Sequence, residues 1–273
     1  CSSDLAILAG IVFLIGFLLQ RWLQCSRVWE TRFRWFNVGS FSKSSVLTVT
    51  MLAGLAMTMV RGPQLGTVLA AAVAAIGAGA NPRRRARLVL AMLIVVGIPA
   101  AIAAYSYASV GRAAAKDASQ ESAAYRKELI DRYVVIALDH ATLGWGRNGW
   151  PKVPGMPSID NYYLLLALMH GLAGTGLLIS TLVWMIARLL RNGLRAGPQR
   201  YPGSSFSFTM GGLFCGIAFS LLTVYLGDNT VPILFTLIGL AEGYLLQGGD
   251  MGQDANPIAH SVVAPTRFQI VLA

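Results

Sequence analysis

Asp160-Asn161 stands immediately before a long apolar run that opens with Tyr162-Tyr163-Leu164. Two readings of this pair are open. Asp and Asn are favoured helix N-caps, and a cap alone would account for one of them. A carboxylate at the edge of an apolar phase can also have its pKa raised by desolvation, which suits a general base near neutral pH. In that case Asn161 would orient substrate hydroxyls. Arg61 closes one apolar run and precedes Gly62-Pro63. It reads either as an arginine snorkelling at a turn or as an anion site, since a guanidinium is a permanently charged, bidentate clamp for phosphate oxygens. Arg126 and Arg132 lie six residues apart in a charged segment. On a helix they project from different faces, so each is either solvated or turned to a cavity. Arg147, in Gly-Trp-Gly-Arg, is a further candidate. His140, after Asp139, is the next base to consider. His170 lies inside the apolar run, where a histidine is either functional or an interhelical hydrogen-bonding group.

The motifs that are missing narrow the chemistry. There is no HExxH motif and no clustered His/Cys/Asp set, so no metal is expected. No GxGxxG, GxxxxGK[ST] or GxSxG motif occurs in a suitable context, which disfavours a nucleotide-driven pump and a serine hydrolase. No cofactor is expected. Cys1, Cys25 and Cys215 are scattered and form neither a CxxC pair nor a disulfide framework.

The elements that must position these groups read as membrane helices. Of 273 residues, 55% are hydrophobic and 12% charged, and the mean hydropathy is +0.58. A soluble domain carries about 25% charged residues. The expected fold is all-α and polytopic, with seven spans at Leu5–Leu19, Val46–Val60, Leu65–Ala80, Leu88–Tyr107, Tyr162–Ala187, Phe206–Leu226 and Val231–Leu246. Pro99 is expected to kink the fourth. The formal charge of +10 fits topology signals rather than nucleic-acid binding, because the cations cluster in alternate loops. These hold Arg21, Arg27, Arg32, Arg34 and Lys43; Arg83, Arg84, Arg85 and Arg87; and Arg188, Arg191, Arg195 and Arg200. The positive-inside rule then puts residues 108–161 outside.

Four regions follow: helices one to four over 1–107, an outer loop over 108–161, helices five to seven over 162–247, and a largely disordered cytoplasmic tail over 248–273. Within the outer loop, Leu129, Ile130, Tyr133, Val134, Ala137 and Leu138 recur at helical spacing. This is an amphipathic helix that lies on the membrane surface or covers a cavity. A structured glycine- and proline-rich turn follows over 141–155. Gly62/Gly66 and Gly212/Gly216 have the GxxxG spacing of closely packed helices in lipid. The chain opens at Cys1 almost directly in a span, so an N-terminal truncation with earlier spans missing is expected, the alternative being a processed lipoprotein start.

Several segments together resemble the O-antigen ligase / O-antigen polymerase superfamily. They are Tyr125-Arg126, Leu143-Gly144-Trp145-Gly146, Asp160-Asn161-Tyr162-Tyr163-Leu164 and Gly171-Leu172-Ala173-Gly174. Val60-Arg61-Gly62 is similar to that family's Ser-Arg-Gly segment, and Arg34–Phe41 to the basic loop before it. The resemblance implies a bacterial inner-membrane glycosyltransferase. It would move a glycan from an undecaprenyl-pyrophosphate carrier to a glycan acceptor on the periplasmic face, without metal. Pyrophosphate contacts would fall to Arg61, Arg126 and Arg132, sugar contacts to Asn161, Tyr162 and Trp145, and the base to Asp160 or His140. Ligases of the family carry His before that Asn. Asp160 in its place tilts the reading towards a polymerase of O-antigen or exopolysaccharide repeats, working among membrane lipid and with a chain-length regulator or other assembly proteins. The competing class is a transporter or flippase of the same lipid-linked sugar, and a third is a structural subunit of an assembly complex.

Overall fold

The computed structural model describes residues 2–25, 43–156, 158–197, 205–225 and 230–250. Among them every regular element is helical and no strand occurs. The α-helices are α1 (Ser2–Cys25), α2 (Lys43–Met57), α3 (Arg61–Ala74), α4 (Pro82–Ala108), α5 (Ala118–Asp139), α6 (Tyr162–Ala196), α7 (Phe206–Ser220) and α8 (Val231–Leu246).

The core forms around α7, which is buried on nearly every side, with Met210, Leu213 and Phe214 fully enclosed. Ile11 and Leu14 of α1, Ala70 of α3, Leu182 and Leu189 of α6, and Leu234 and Leu237 of α8 complete the same cluster. The closest approach is between α3 and α7. A Cβ on Gly66 would lie 2.5 Å from the Gly216 carbonyl oxygen, and one on Gly216 would lie 2.6 Å from that of Gly66. The two GxxxG pairs therefore face each other, which lets the backbones meet and gain van der Waals contact.

Two helices, α4 and α6, are long and apolar enough to cross a membrane; the other apolar segments are shorter. The α4 helix begins at Pro82, a good first-turn residue, so Arg83, Arg84, Arg85 and Arg87 lie in its first two turns rather than in a preceding loop. Pro99 is held within a helix that runs from Pro82 to Ala108. The apolar stretch of α4 buries no residue, with Val95 69% and Met92 65% exposed. The expected second span ends at Met57 and the third begins at Arg61. Helices of these lengths measure roughly 21–23 Å, short of a hydrocarbon core of about 30 Å.

The amphipathic helix is present as α5. Leu129, Tyr133 and Ala137 are buried against Leu164, Ala167 and Leu168 of α6, while Ile130, Val134 and Leu138 stay exposed on a second apolar face. At the opposite end of the bundle, buried Asp250 accepts from the Ser205 hydroxyl at 2.5 Å, from the Ser207 backbone N–H at 3.3 Å and from the Tyr244 hydroxyl. Its own N–H donates to Asn192 at 3.0 Å. The stretch expected to be a disordered tail from Gly248 thus begins with a carboxylate seated at the N-terminus of α7, where helix dipole and free N–H groups favour it. Residues 251–273 lie outside the described residues, as does the motif at Arg34–Phe41.

Candidate active site

Arg61 is placed by the turn that separates α2 from α3. Met59 has φ 53° and Val60 is extended, which ends α2 and starts α3 at Arg61. Gln64 donates to the Leu55 and Ala56 carbonyls, both at 3.3 Å, and so ties the end of α2 to the start of α3. No side chain caps α3, and its first N–H groups add to the positive field around Arg61.

The start of α5 comes to meet Arg61. Asp117 caps α5 by accepting from the Gln120 N–H at 2.7 Å, and also accepts from the Tyr107 hydroxyl at 3.2 Å. These bonds, the Gln120 one foremost, and the charge of Arg61 hold the Asp117 carboxyl below its usual range. So fixed, Ser119 sits 3.0 Å from Arg61 Nη2. Further along α5, Arg126 keeps its Nε buried with no hydrogen-bond partner among the described residues. A buried, unanswered guanidinium N–H costs free energy unless something accepts it.

Asn161 is the residue that caps α6, its side-chain oxygen accepting from the Leu164 N–H at 3.1 Å. Asp160 is thereby relieved of that role. The Tyr162 N–H donates to the Leu221 carbonyl at 3.0 Å, and the Tyr163 hydroxyl to the Ala218 carbonyl at 2.9 Å, so α7 fixes the start of α6.

Arg61, Arg126, Ser119 and Asp160 line one cavity of about 510 Å³. A larger cavity of about 1020 Å³ adjoins it, lined by Tyr133, Trp150, Lys152, Tyr162 and His170 among others. Ile7, Asp160 and Tyr225 line both, so Asp160 stands at the seam.

The far wall of the larger cavity depends on a break in α6. Gly171 has φ 67° and ψ −170°, a region essentially reserved for glycine. The turn after α5 enters the break. Trp145 N–H donates to Leu168 O at 2.7 Å and Gly146 N–H to Met169 O at 3.1 Å, while Leu172 N–H donates to Ala141 O at 2.6 Å. The backbone bonds that α6 loses are supplied by the turn. Gly144, at φ 72°, is the other half of the joint: a Cβ there would lie 2.5 Å from the Gly171 nitrogen, and one on Gly171 would lie 2.3 Å from the Thr142 carbonyl oxygen.

Residues 46–179 match the O-antigen ligase family. This match, over just under half of the chain, supports the superfamily that the sequence resembles. The matched stretch contains Arg61, Arg126, Asp160 and both halves of the Gly144–Gly171 joint. No curated protein and no solved structure matches the chain.

The structure sorts the residues singled out from sequence. It brings together Arg61, Arg126 and Asp160, with Tyr162 on the adjoining wall. Arg132 lines neither cavity and is paired with Glu128 at 2.7 Å. His140 also lies outside both; it packs on Trp145 with ring centroids 3.8 Å apart, and its carbonyl accepts from the Gly144 N–H. Trp145 serves the joint, its indole N–H donating to the Ile136 carbonyl at 2.8 Å. Asn161 spends its carbonyl oxygen on the cap. His170 makes no interhelical hydrogen bond among the described residues and lines the larger cavity. Among the described residues, no group of three or more His, Cys, Asp or Glu could hold a metal ion. In sequence Gly144 falls in the glycine-rich turn and Gly171 in the apolar run after it; only their contact in space reveals the joint.

Proposed function

We propose that the chain is a multi-pass inner-membrane glycosyltransferase that polymerises or ligates undecaprenyl-pyrophosphate-linked oligosaccharides on the periplasmic face. The observation that supports this most is the convergence on one cavity of Arg61 from α3, Arg126 from α5 and Asp160 from the segment just before α6. Two guanidiniums and the uncapped start of α3 suit a pyrophosphate, and the unpartnered Nε of Arg126 suits one of its oxygens. The acceptor hydroxyl oxygen attacks the anomeric carbon of the donor sugar. The bond from that carbon to the phosphate oxygen breaks, and its electron pair leaves with the pyrophosphate. Asp160 takes the hydroxyl proton. A single in-line step inverts the anomeric carbon. Charge neutralisation of the leaving group falls to Arg61 and Arg126 rather than to a metal, and such preorganised positive charge is worth most in a site shielded from water.

A flippase would also need cations facing a cavity. It would not need a carboxylate released from capping and set beside them. The deciding assay is transfer in purified protein supplied with lipid-linked repeats. Arg61→Ala and Arg126→Ala should abolish product while leaving folded protein in normal amount. Arg→Lys at either position should restore little, because a point charge does not reproduce bidentate contact. Full activity in all four variants would exclude this reading of the small cavity.

A further inference from the structure

We propose that the larger cavity seats the acceptor glycan and that His170 is a specificity-determining residue that holds the acceptor's hydroxyls. This rests on the glycosyl-transfer reading above. Three observations carry it. First, Asp160 stands where the two cavities meet, so a base there serves a nucleophile arriving from the side opposite Arg61 and Arg126. Second, the walls differ in kind. The small cavity has Arg61, Arg126 and the hydroxyls of Ser119 and Ser122. The larger one has the rings of Tyr133, Trp150 and Tyr162 with the polar ends of Arg147, Lys152 and His170. Flat aromatic faces beside a few hydrogen-bonding groups suit a chain of sugar rings, which presents C–H faces and hydroxyl edges. About 1020 Å³ exceeds what a single sugar ring requires.

Third, His170 is the last residue before the break at Gly171. The carbonyls of Leu168 and Met169 are held by the 145–146 turn, so the backbone carrying His170 is fixed at the end of the upper half-helix. His170 is exposed and lines the cavity, with no hydrogen-bond partner among the described residues. A neutral imidazole has one donor and one acceptor nitrogen, which matches the two-way hydrogen bonding of a sugar hydroxyl. His170 holds the acceptor in the cavity; Asp160 takes the proton.

The test uses protein in lipid nanodiscs and the repeat-unit oligosaccharide released by mild acid from the producing cells' own lipid-linked pool. Direct binding of this lipid-free sugar is measured by calorimetry, without donor. Wild-type protein should bind it. His170→Ala and Trp150→Leu should each weaken binding about 10-fold, the order of one lost hydrogen bond or ring contact. His170→Asn, which keeps a donor and an acceptor, should recover part of the loss. Undecaprenyl phosphate should bind all three variants as it does wild type, and Arg61→Ala poorly. In turnover assays His170→Ala should raise KM for the acceptor with kcat and donor KM changed less than about 2-fold. Equal sugar binding by wild type, His170→Ala and Trp150→Leu would overturn the proposal. So would a loss confined to kcat, or a parallel loss of undecaprenyl phosphate binding. Sugar binding that depends on His170 in a protein that transfers nothing would leave the subsite standing and sink the transferase reading instead.

Discussion

Asp160 and Asn161 are adjacent, yet their duties separate cleanly, so substitution can tell them apart. Asn161→Ala removes the acceptor for the Leu164 N–H and should cost about 0.5–2 kcal/mol of stability, read as a lower unfolding temperature. Asp160→Asn leaves that cap in place and should unfold as wild type does. An amide cannot take a proton, and loss of a general base costs roughly 10²–10⁴-fold in rate. Asp160→His should keep part of the turnover, since imidazole can serve as base. Normal turnover in Asp160→Asn would remove the residue from the chemistry. The sequence offered cap and base as alternatives for this pair because both residue types fit both roles. Only the hydrogen bond to Leu164 assigns the cap.

At the scale of elements, the joint between α6 and the turn before it sets the shape of the larger cavity. Gly171→Ala places a Cβ 2.3 Å from the Thr142 carbonyl oxygen and forces a glycine-only backbone. The backbone strain alone is about 1–3 kcal/mol. Gly176→Ala is the matched control, since nothing lies within 4 Å of a Cβ there. It should be neutral or slightly stabilising. Thermal unfolding of the two variants side by side decides the matter; equal midpoints would mean the break is not needed. A second element, the start of α5, should be sensitive to acid. The Asp117 carboxyl is held below its unfolded value, so the stability it lends is present above that value, about pH 4, and is lost as pH falls through the lower folded value. Amide exchange at the first turn of α5 should quicken over that range in wild type, while Asp117→Asn should show no such step. The existence of α5, its apolar spacing and the turn after it were legible from periodicity and glycine content. The burial of Leu129 and Tyr133 but not Ile130 and Val134 was not, because two apolar faces look alike until one of them meets α6.

For the molecule as a whole, the reading requires the cavities and the arginine-rich start of α4 to lie on opposite sides of the membrane. Glu121 and Arg84 are both exposed and lie clear of both cavities. In a background without native cysteines, Glu121→Cys should react with an impermeant thiol reagent in intact spheroplasts, and Arg84→Cys should react only after lysis. The reverse pattern would move the site to the cytoplasm. The helical class and the GxxxG spacings could be read from composition and sequence; that the two pairs face each other could not. The bounds of α2 and α3 could not, since an apolar run shows where a helix is stable and not where Met59 will end it. The joint at Gly171 bears finally on biogenesis. The part of α6 after Gly171 is roughly 37 Å long at 1.5 Å per residue, enough to insert in a bilayer by itself. The Leu168 and Met169 carbonyls wait for N–H donors that arrive only when the 141–146 turn docks. A chain can therefore be fully inserted and still lack a finished site. The Trp145, Gly146 and Leu172 amides would gain their protection against solvent exchange together, as the last event of maturation.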